Sequence, residues 1–267
     1  MWSAIGHSEV GTSHFASGAE CQDYHEYFPA FLGSERALLI GIADGAGSAS
    51  AARIGAEECV RHLLRSAARS EKKVSELTEE VVRAWFVEAR SHLERVATRE
   101  GVALREVSCT ALFAVLGETS CVFAQVGDGG WVAEYRGECD WVTWPTHGEH
   151  ANETIFLTHP VLMTAEGWDQ HFQFRRWEKP VMNVAGFTDG LEGLALHFAA
   201  HAVHAPFFAG MFSGLSHALA DHSDLQDFAA PLIAFLQSPD INQRTDDDKT
   251  LVVACRRKLA LSDAPSK

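Results

Sequence analysis

Ala37-Leu38-Leu39-Ile40-Gly41-Ile42-Ala43 is an unbroken apolar run that stops at Asp44-Gly45. A short apolar run closed by a turn pair predicts a strand buried on both faces. The period then changes. Ala56, Val60, Leu63, Leu64 and Ala67 return at helical intervals, which predicts a helix with one buried face. Val82, Trp85, Phe86, Ala89, Leu93 and Val96 repeat that pattern. Thr78 can cap this second helix, and Glu79 and Glu80 suit the positive end of its dipole. Apolar runs resume at Thr110 to Leu116, Cys121 to Val126 and Trp131 to Tyr135. The turns between them, Gly117-Glu118 and Gly127-Asp128-Gly129-Gly130, predict a meander. Residues 141–180 mix Trp, His and Thr without a period and read as loop-rich. Val181 to Phe187 predicts another strand, residues 191–237 a mostly helical stretch, and Thr250 to Cys255 a last strand.

This order is not a regular strand-helix-strand alternation. It disfavours a doubly wound parallel sheet and predicts an α+β fold with helices packed on antiparallel sheets. No linker divides the chain, so one domain is expected over residues 1–255, followed by a flexible tail over 256–267.

Composition narrows the function. Of 267 residues, 46% are hydrophobic and 22% charged, which excludes wholesale disorder. The 36 acidic against 22 basic residues give a net charge of -14, so a phosphate backbone would repel the chain and nucleic acid is excluded as its main partner. No run reaches the ~18 apolar residues of a membrane span, and no basic segment leads an apolar one at the N-terminus. Six cysteines occur without a C-x-x-C pair; buried free thiols in a reducing cytoplasm are the expectation.

The chemistry lies in carboxylates. Asp44, Asp128 and Asp189 each end an apolar run and precede a glycine, and Asp247 stands just before the last strand. Any one of them is explained by turn chemistry. Four at strand ends point to convergence, and converging carboxylates repel unless something compensates. Hard divalent cations, which prefer oxygen ligands, would do so.

These residues resemble a family. Asp44-Gly45-Ala46-Gly47 after an apolar strand resembles the D-G-x-G element of the PP2C-type, metal-dependent Ser/Thr protein phosphatases. Ser108-Cys109-Thr110-Ala111-Leu112 is similar to their G-T-T-like strand, and Val126-Gly127-Asp128-Gly129 to their V-G-D-S turn. Thr188-Asp189-Gly190-Leu191 resembles the T/S-D-G-L element. Asp247-Asp248-Lys249-Thr250 resembles the entry to the terminal strand, and Gln22-Asp23 stands where the family has Glu-Asp. The elements run in family order from Gly11 to Cys255.

The resemblance implies a four-layer α-β-β-α sandwich of two antiparallel sheets flanked by helices. It also implies a centre of two Mn²⁺ or Mg²⁺ ions between the sheets, with a third, weaker site. By that resemblance Asp44 bridges the two metals and the Gly45 carbonyl binds one. Asp189 and Asp247 complete the second site, Asp128 joins Asp189 at the third, and Asp23 orients the water. The implied activity is hydrolysis of phosphoserine and phosphothreonine in proteins by direct attack of a metal-bridging water or hydroxide. A phosphoprotein substrate, a cognate Ser/Thr kinase as partner and a monomeric state go with it.

The match departs in places. Gly18 stands where many members carry a phosphate-gripping Arg, and His14 is the expected substitute, although an imidazole lacks the bidentate fork of Arg. Gln22 replaces a Glu. Ala46 stands where some members have a His able to act as general acid. The segment from Gly148 to Thr158 resembles a stretch in a bacterial branch carrying Cys-Gln-Asp, which makes Cys21-Gln22-Asp23 a branch feature. A pseudophosphatase that only binds a phosphoprotein is the alternative, and a hydrolase of small phosphoesters a third reading.

Other candidates are weaker. His197, His201 and His204 would share a helical face, either a zinc site or a plain polar face. His147, His150 and His159, with Glu149 and Glu153, read as a substrate rim or a polar loop. Trp131, Trp141 and Trp144 read as an aromatic rim or as sheet packing. Arg175-Arg176 reads as a phosphopeptide contact or a solvated pair. Cys109 reads as core.

Overall fold

The computed structural model describes residues 1–146, 154–220 and 228–256. The tail beyond Arg256 lies outside them, as do His147, Glu149, His150 and Glu153. In chain order the elements are β1 (Trp2–Glu9), α1 (Thr12–Ser17), β2 (Tyr24–Leu32), β3 (Glu35–Ala43), α2 (Ala52–Ala68) and α3 (Glu79–Glu100). Then come β4 (Ala111–Leu116), β5 (Cys121–Val126), β6 (Gly130–Tyr135), β7 (Glu138–Thr143), α4 (Ala165–His171), β8 (Phe172–Trp177) and β9 (Asn183–Phe187). The chain continues through α5 (Glu192–Ala195), β10 (Leu196–His197), β11 (Ala202–Val203), α6 (Ala205–Ala220), α7 (Ala229–Leu236), α8 (Pro239–Asn242) and β12 (Lys249–Arg256).

Two five-stranded sheets form, in the orders β1-β12-β9-β6-β7 and β2-β3-β4-β5-β8. Every neighbouring pair in them is antiparallel. The unbroken apolar runs are explained by burial on both faces. In β3, Ala37, Leu39 and Ala43 face the helix layer, while Leu38, Ile40 and Ile42 enter the core between the sheets. In β12, Leu251, Val253 and Cys255 face the opposite helix layer, and Val252 and Ala254 point between the sheets.

Helices α2 and α3 cover one sheet. Val82, Phe86, Ala89 and Leu93 on α3 are all buried. Thr78 caps that helix through its Oγ1, which accepts from the Val81 N–H at 3.4 Å. Phe113 of β4 meets Trp85 edge-on at 5.9 Å and Phe86 at 6.5 Å. Helices α6 and α7 cover the other sheet, with Phe208, Phe212 and Leu236 packed on Phe187 and Leu251. The result is a four-layer α-β-β-α sandwich.

Three expectations are corrected. The meander is not one: β5 and β6 lie in different sheets, and Gly127 to Gly129 carries the chain from one to the other. The described residues between 141 and 180 are more than loop, since they hold the end of β7, then α4 and β8. Strand β8 is an edge strand, half-buried, so Phe-Gln-Phe-Arg-Arg-Trp shows no apolar run. The three histidines share no helical face. His197 belongs to β10, His201 is left-handed at φ 47°, and His204 precedes α6, with Nδ1 2.9 Å from the Leu194 carbonyl. Among the described residues these histidines do not gather as a metal-ligand set. Trp131 is buried between the sheets, and Cys109 is core.

Phe113→Ala would empty the contact between α3 and its sheet. The expected cost is about 3–5 kcal/mol, measured by urea unfolding. A loss under about 1 kcal/mol would mean that the helix layer does not rest on this ring.

Candidate active site

The register of the sheets gathers the acids at one end of the sandwich. Tyr24 pairs with Ala43, which sets Asp23, just before β2, beside Asp44, just after β3. Ile42 pairs with Leu112 and Ala111 with Val126, which brings the Asp128 turn to the same edge. Phe187 pairs with both Gly130 and Leu251. Asp189 therefore emerges between Asp128 and the Asp247-Asp248 entry to β12.

Oxygen atoms of Asp44, Asp128 and Asp189 lie within 4.8 Å of one another. Asp44 comes from one sheet, Asp189 from the other, and Asp128 from the crossing between them. Local geometry fixes each. The Asp44 N–H donates to Thr110 Oγ1 at 2.9 Å, and the Thr110 N–H to the Asp44 carbonyl at 2.8 Å. Gly45 pairs with Cys109, and a Cβ on it would come within 2.8 Å of Ala52 backbone. Gly127 and Gly129 flank Asp128 at φ 97° and 79°, conformations that side chains with a Cβ disfavour. Thr154 Oγ1 donates to Asp128 Oδ2 at 2.5 Å.

Asp23 is fully buried. Its Oδ2 accepts from Thr188 Oγ1 and Thr250 Oγ1, each at 2.7 Å. Its Oδ1 receives no hydrogen bond among the described residues, and its carboxyl adjoins that of Asp44. Asp247 is exposed and stands at the rim, close enough to act on Asp189. His14 Nδ1 lies 3.0 Å from Asp248 Oδ2, which leaves only Nε2 to meet a substrate.

Electrostatics express the crowding. Burial, then Asp189, Asp23 and Asp128, hold the Asp44 carboxyl well above the ordinary range. Burial, then Asp128 and Asp247, do the same to Asp189. Burial lifts Asp23 to about 6 against the pull of its two threonine donors. The charges that act most on Asp44 and Asp189 are all carboxylates. An all-oxygen donor set, a buried Asp23 Oδ1 that no described residue bonds, and carboxylates as the leading charges on Asp44 and Asp189 fit hard divalent cations.

A family model described as protein phosphatase 2C matches residues 10–228. The chain belongs to the protein phosphatase 2C family. It is 33% identical over 258 residues to serine/threonine-protein phosphatase 3 of Escherichia coli (strain K12), over 95% of this chain and 98% of that protein. The S. agalactiae serine/threonine phosphatase superposes with a TM-score of 0.65 at 16% identity, over 96% of this chain and 99% of that one. The PstP catalytic domain in complex with two manganese ions does so at 0.59 and 15%, over 95% and 97%. At these identities the solved structures speak for the fold, and they share the antiparallel sandwich described above.

Two acids of this phosphatase 2C chain hold the site without having been assigned a role from sequence: Asp248, quoted only as part of the entry to the last strand, and Glu192. Asp248 is buried; its Oδ1 accepts from the Gly11 N–H and its Oδ2 from the Gln22 N–H, both at 2.6 Å. It ties the N-terminal loop to the start of β12. Glu192 Oε1 accepts from the Gly129 N–H at 2.5 Å, and burial pushes its carboxyl up to about 8. Its position three residues after Asp189 places it one turn along, the only local hint it leaves.

These shifts set a pH dependence. Carboxyls raised in the folded state hold more protons than the unfolded chain does. In the metal-free protein the contribution of these carboxyls to stability is full below about pH 4 and is lost as pH rises toward about 8. Mn²⁺ is expected to raise the melting temperature more at pH 8 than at pH 5. Asp44→Asn is expected to raise the metal-free value at pH 8 and abolish the gain from metal. Calorimetry of both proteins at both pH values checks this, and a pH-independent metal-free melting temperature would contradict it.

Proposed function

We propose that this chain is a metal-dependent protein phosphatase that removes phosphate from phosphoserine and phosphothreonine in proteins. The observation that carries the reading is the meeting of Asp44, Asp128 and Asp189 from both sheets within 4.8 Å. Two cations held there would neutralise charge on the transferring phosphoryl group and acidify a water for direct attack. Asp44 and the Gly45 carbonyl beside it would help to hold them, together with Asp189, Asp247 and Asp128. Asp23, fixed by two threonines, orients the nucleophile. His14 is assigned to substrate phosphate through Nε2. Mn²⁺ and Mg²⁺ both suit the donor set.

We read residues 1–255 as one phosphatase domain; the pairing of β1 with β12, which joins the two ends of that span, supports it. Cys21-Gln22-Asp23 supports placing the chain in the bacterial branch with that variant. A cytoplasmic setting is supported by six free cysteines and by the lack of any described helix long and apolar enough to cross a membrane. A monomer that reverses a cognate Ser/Thr kinase completes the reading, and a pull-down from the cytoplasm that enriches no kinase would count against that partner.

Hydrolysis of a phosphothreonine peptide with Mn²⁺, with Mg²⁺ and with chelator tests the activity. Turnover should require metal. Asp44→Asn and Asp189→Asn should each lose at least about 100-fold in kcat, the scale set by removing one element of transition-state charge stabilisation. Folded protein that turns over no phosphopeptide with either metal would sink the reading and favour a phosphoprotein-binding pseudophosphatase.

A further inference from the structure

Gln125 is a buried polar side chain to which the chemistry above gives no part. Strand β5 alternates cleanly: Val122, Ala124 and Val126 face the helix layer, and Cys121 and Phe123 point between the sheets. Gln125 therefore points between the sheets too, where an amide is costly unless its hydrogen bonds are made. They are made at the acidic edge. Its Nε2 donates to the carbonyls of Gly127, Asp128 and Gly129 at 3.0, 3.3 and 3.1 Å. Its Oε1 accepts from Thr143 Oγ1 at 2.5 Å, and Thr143 belongs to β7 in the other sheet. The amide has two protons for three carbonyls, so they are shared. The reverse orientation would set an oxygen against all three carbonyls, so the contacts decide which way the amide lies.

This grip bears on Asp128. Gly127 and Gly129, at φ 97° and 79°, let three successive carbonyls turn toward one donor. The turn is held from other sides as well. Thr146 donates to the Gly127 carbonyl through its N–H at 3.3 Å and its Oγ1 at 2.9 Å, and Glu192 accepts from the Gly129 N–H. A backbone fixed in this way carries the Asp128 carboxylate to Asp44 and Asp189.

Gln173 supplies an internal comparison. It is the register partner of Gln125 across β5 and β8, and it also reaches the other sheet. Its Nε2 donates to the Trp144 carbonyl at 2.6 Å, and its Oε1 accepts from the Trp144 N–H at 3.2 Å. Both glutamines tie the two sheets together at the end of β7. Of the two, Gln125 is the one bonded to the Asp128 turn.

We propose that Gln125 is a positioning residue for Asp128: its buried amide gathers the three carbonyls of the Gly127–Gly129 turn and so holds the Asp128 carboxylate in the acidic cluster. The consequence for metal rests on the reading of that cluster as a cation site; the hold on the turn does not.

Mn²⁺ titrations by calorimetry test the proposal. Asp128→Asn defines the part of the binding that runs through Asp128. Gln125→Met keeps the length of the side chain and removes its donors. It should weaken that part about tenfold, the scale on which loss of a group that orients a ligand is felt. In the Asp128→Asn background the same substitution should have no further effect, because two residues that act through one another are not additive. Gln173→Met, which loosens the sheets without touching the turn, should leave the affinity near that of wild type. A wild-type affinity in Gln125→Met, an equal loss with and without Asp128, or an equal loss from Gln173→Met would overturn the proposal. A second measurement needs neither a variant nor metal. In ¹H–¹⁵N spectra of metal-free wild type, the Gln125 side-chain amide should exchange slowly with solvent, and exchange as fast as that of an exposed glutamine would overturn the hold on the turn. Failure of the cation reading looks different: wild type itself would bind no Mn²⁺, while the exchange rate would still decide whether the amide holds the turn.

Discussion

Repulsion among buried carboxylates is the constraint around which this molecule is arranged. Asp44, Asp128 and Asp189 meet within 4.8 Å, and the strongest charges acting on Asp44 and Asp189 are further carboxylates. Local hydrogen bonds orient the individual carboxylates but do not cancel their mutual repulsion. The cluster exists because two sheets are locked face to face by Leu38, Ile40, Ile42, Trp131 and Val252, and two helix layers fix the outer faces. Each large side chain fully buried in this way contributes about 1.5–3 kcal/mol. The apolar body stabilises the fold, and the acidic edge works against it until cations arrive.

Rigidity of the carboxylates at that edge comes largely from short polar anchors, while the Arg53 guanidinium holds the Asp23 backbone carbonyl. Thr110 secures the Asp44 backbone. Thr188 and Thr250 secure the Asp23 carboxylate. Glu192 secures the Gly129 N–H beside Asp128. A cation in any of these places would compete with metal for the carboxylates. Hydroxyls and amides orient an oxygen without neutralising it, so the negative potential stays available to a divalent ion.

Much of this was legible because burial writes itself into local pattern. Strand β3 lies between two cores, so both of its faces are apolar and its end at Asp44 is sharp. Helix α3 carries a complete stripe and its own cap. What could not be read is nonlocal. The apolar run of β6 would look the same paired with β5 or with β9, and only the whole sheet decides. Strands β1 and β2 sit at sheet edges, where half-buried polar residues such as Ser8 and His25 blur the alternation. Asp247 and Asp248 are neighbours that differ sharply in environment, one exposed and one buried. The sequence alone does not say which of them stands at the rim and which ties down the N-terminal loop.

That division of labour between Asp247 and Asp248 bears on substrate binding. Asp248 accepts from the Gly11 and Gln22 N–H groups and lies against His14, so the N-terminal loop is shaped around an internal acid rather than around an incoming anion. Gly18 supplies no guanidinium. A phosphoryl group reaching this edge meets carboxylates from both sheets. Under the proposed reading its charge would be met by the same cations that relieve the carboxylates, so affinity for the phosphoryl group and tolerance of the acidic cluster would both follow metal occupancy.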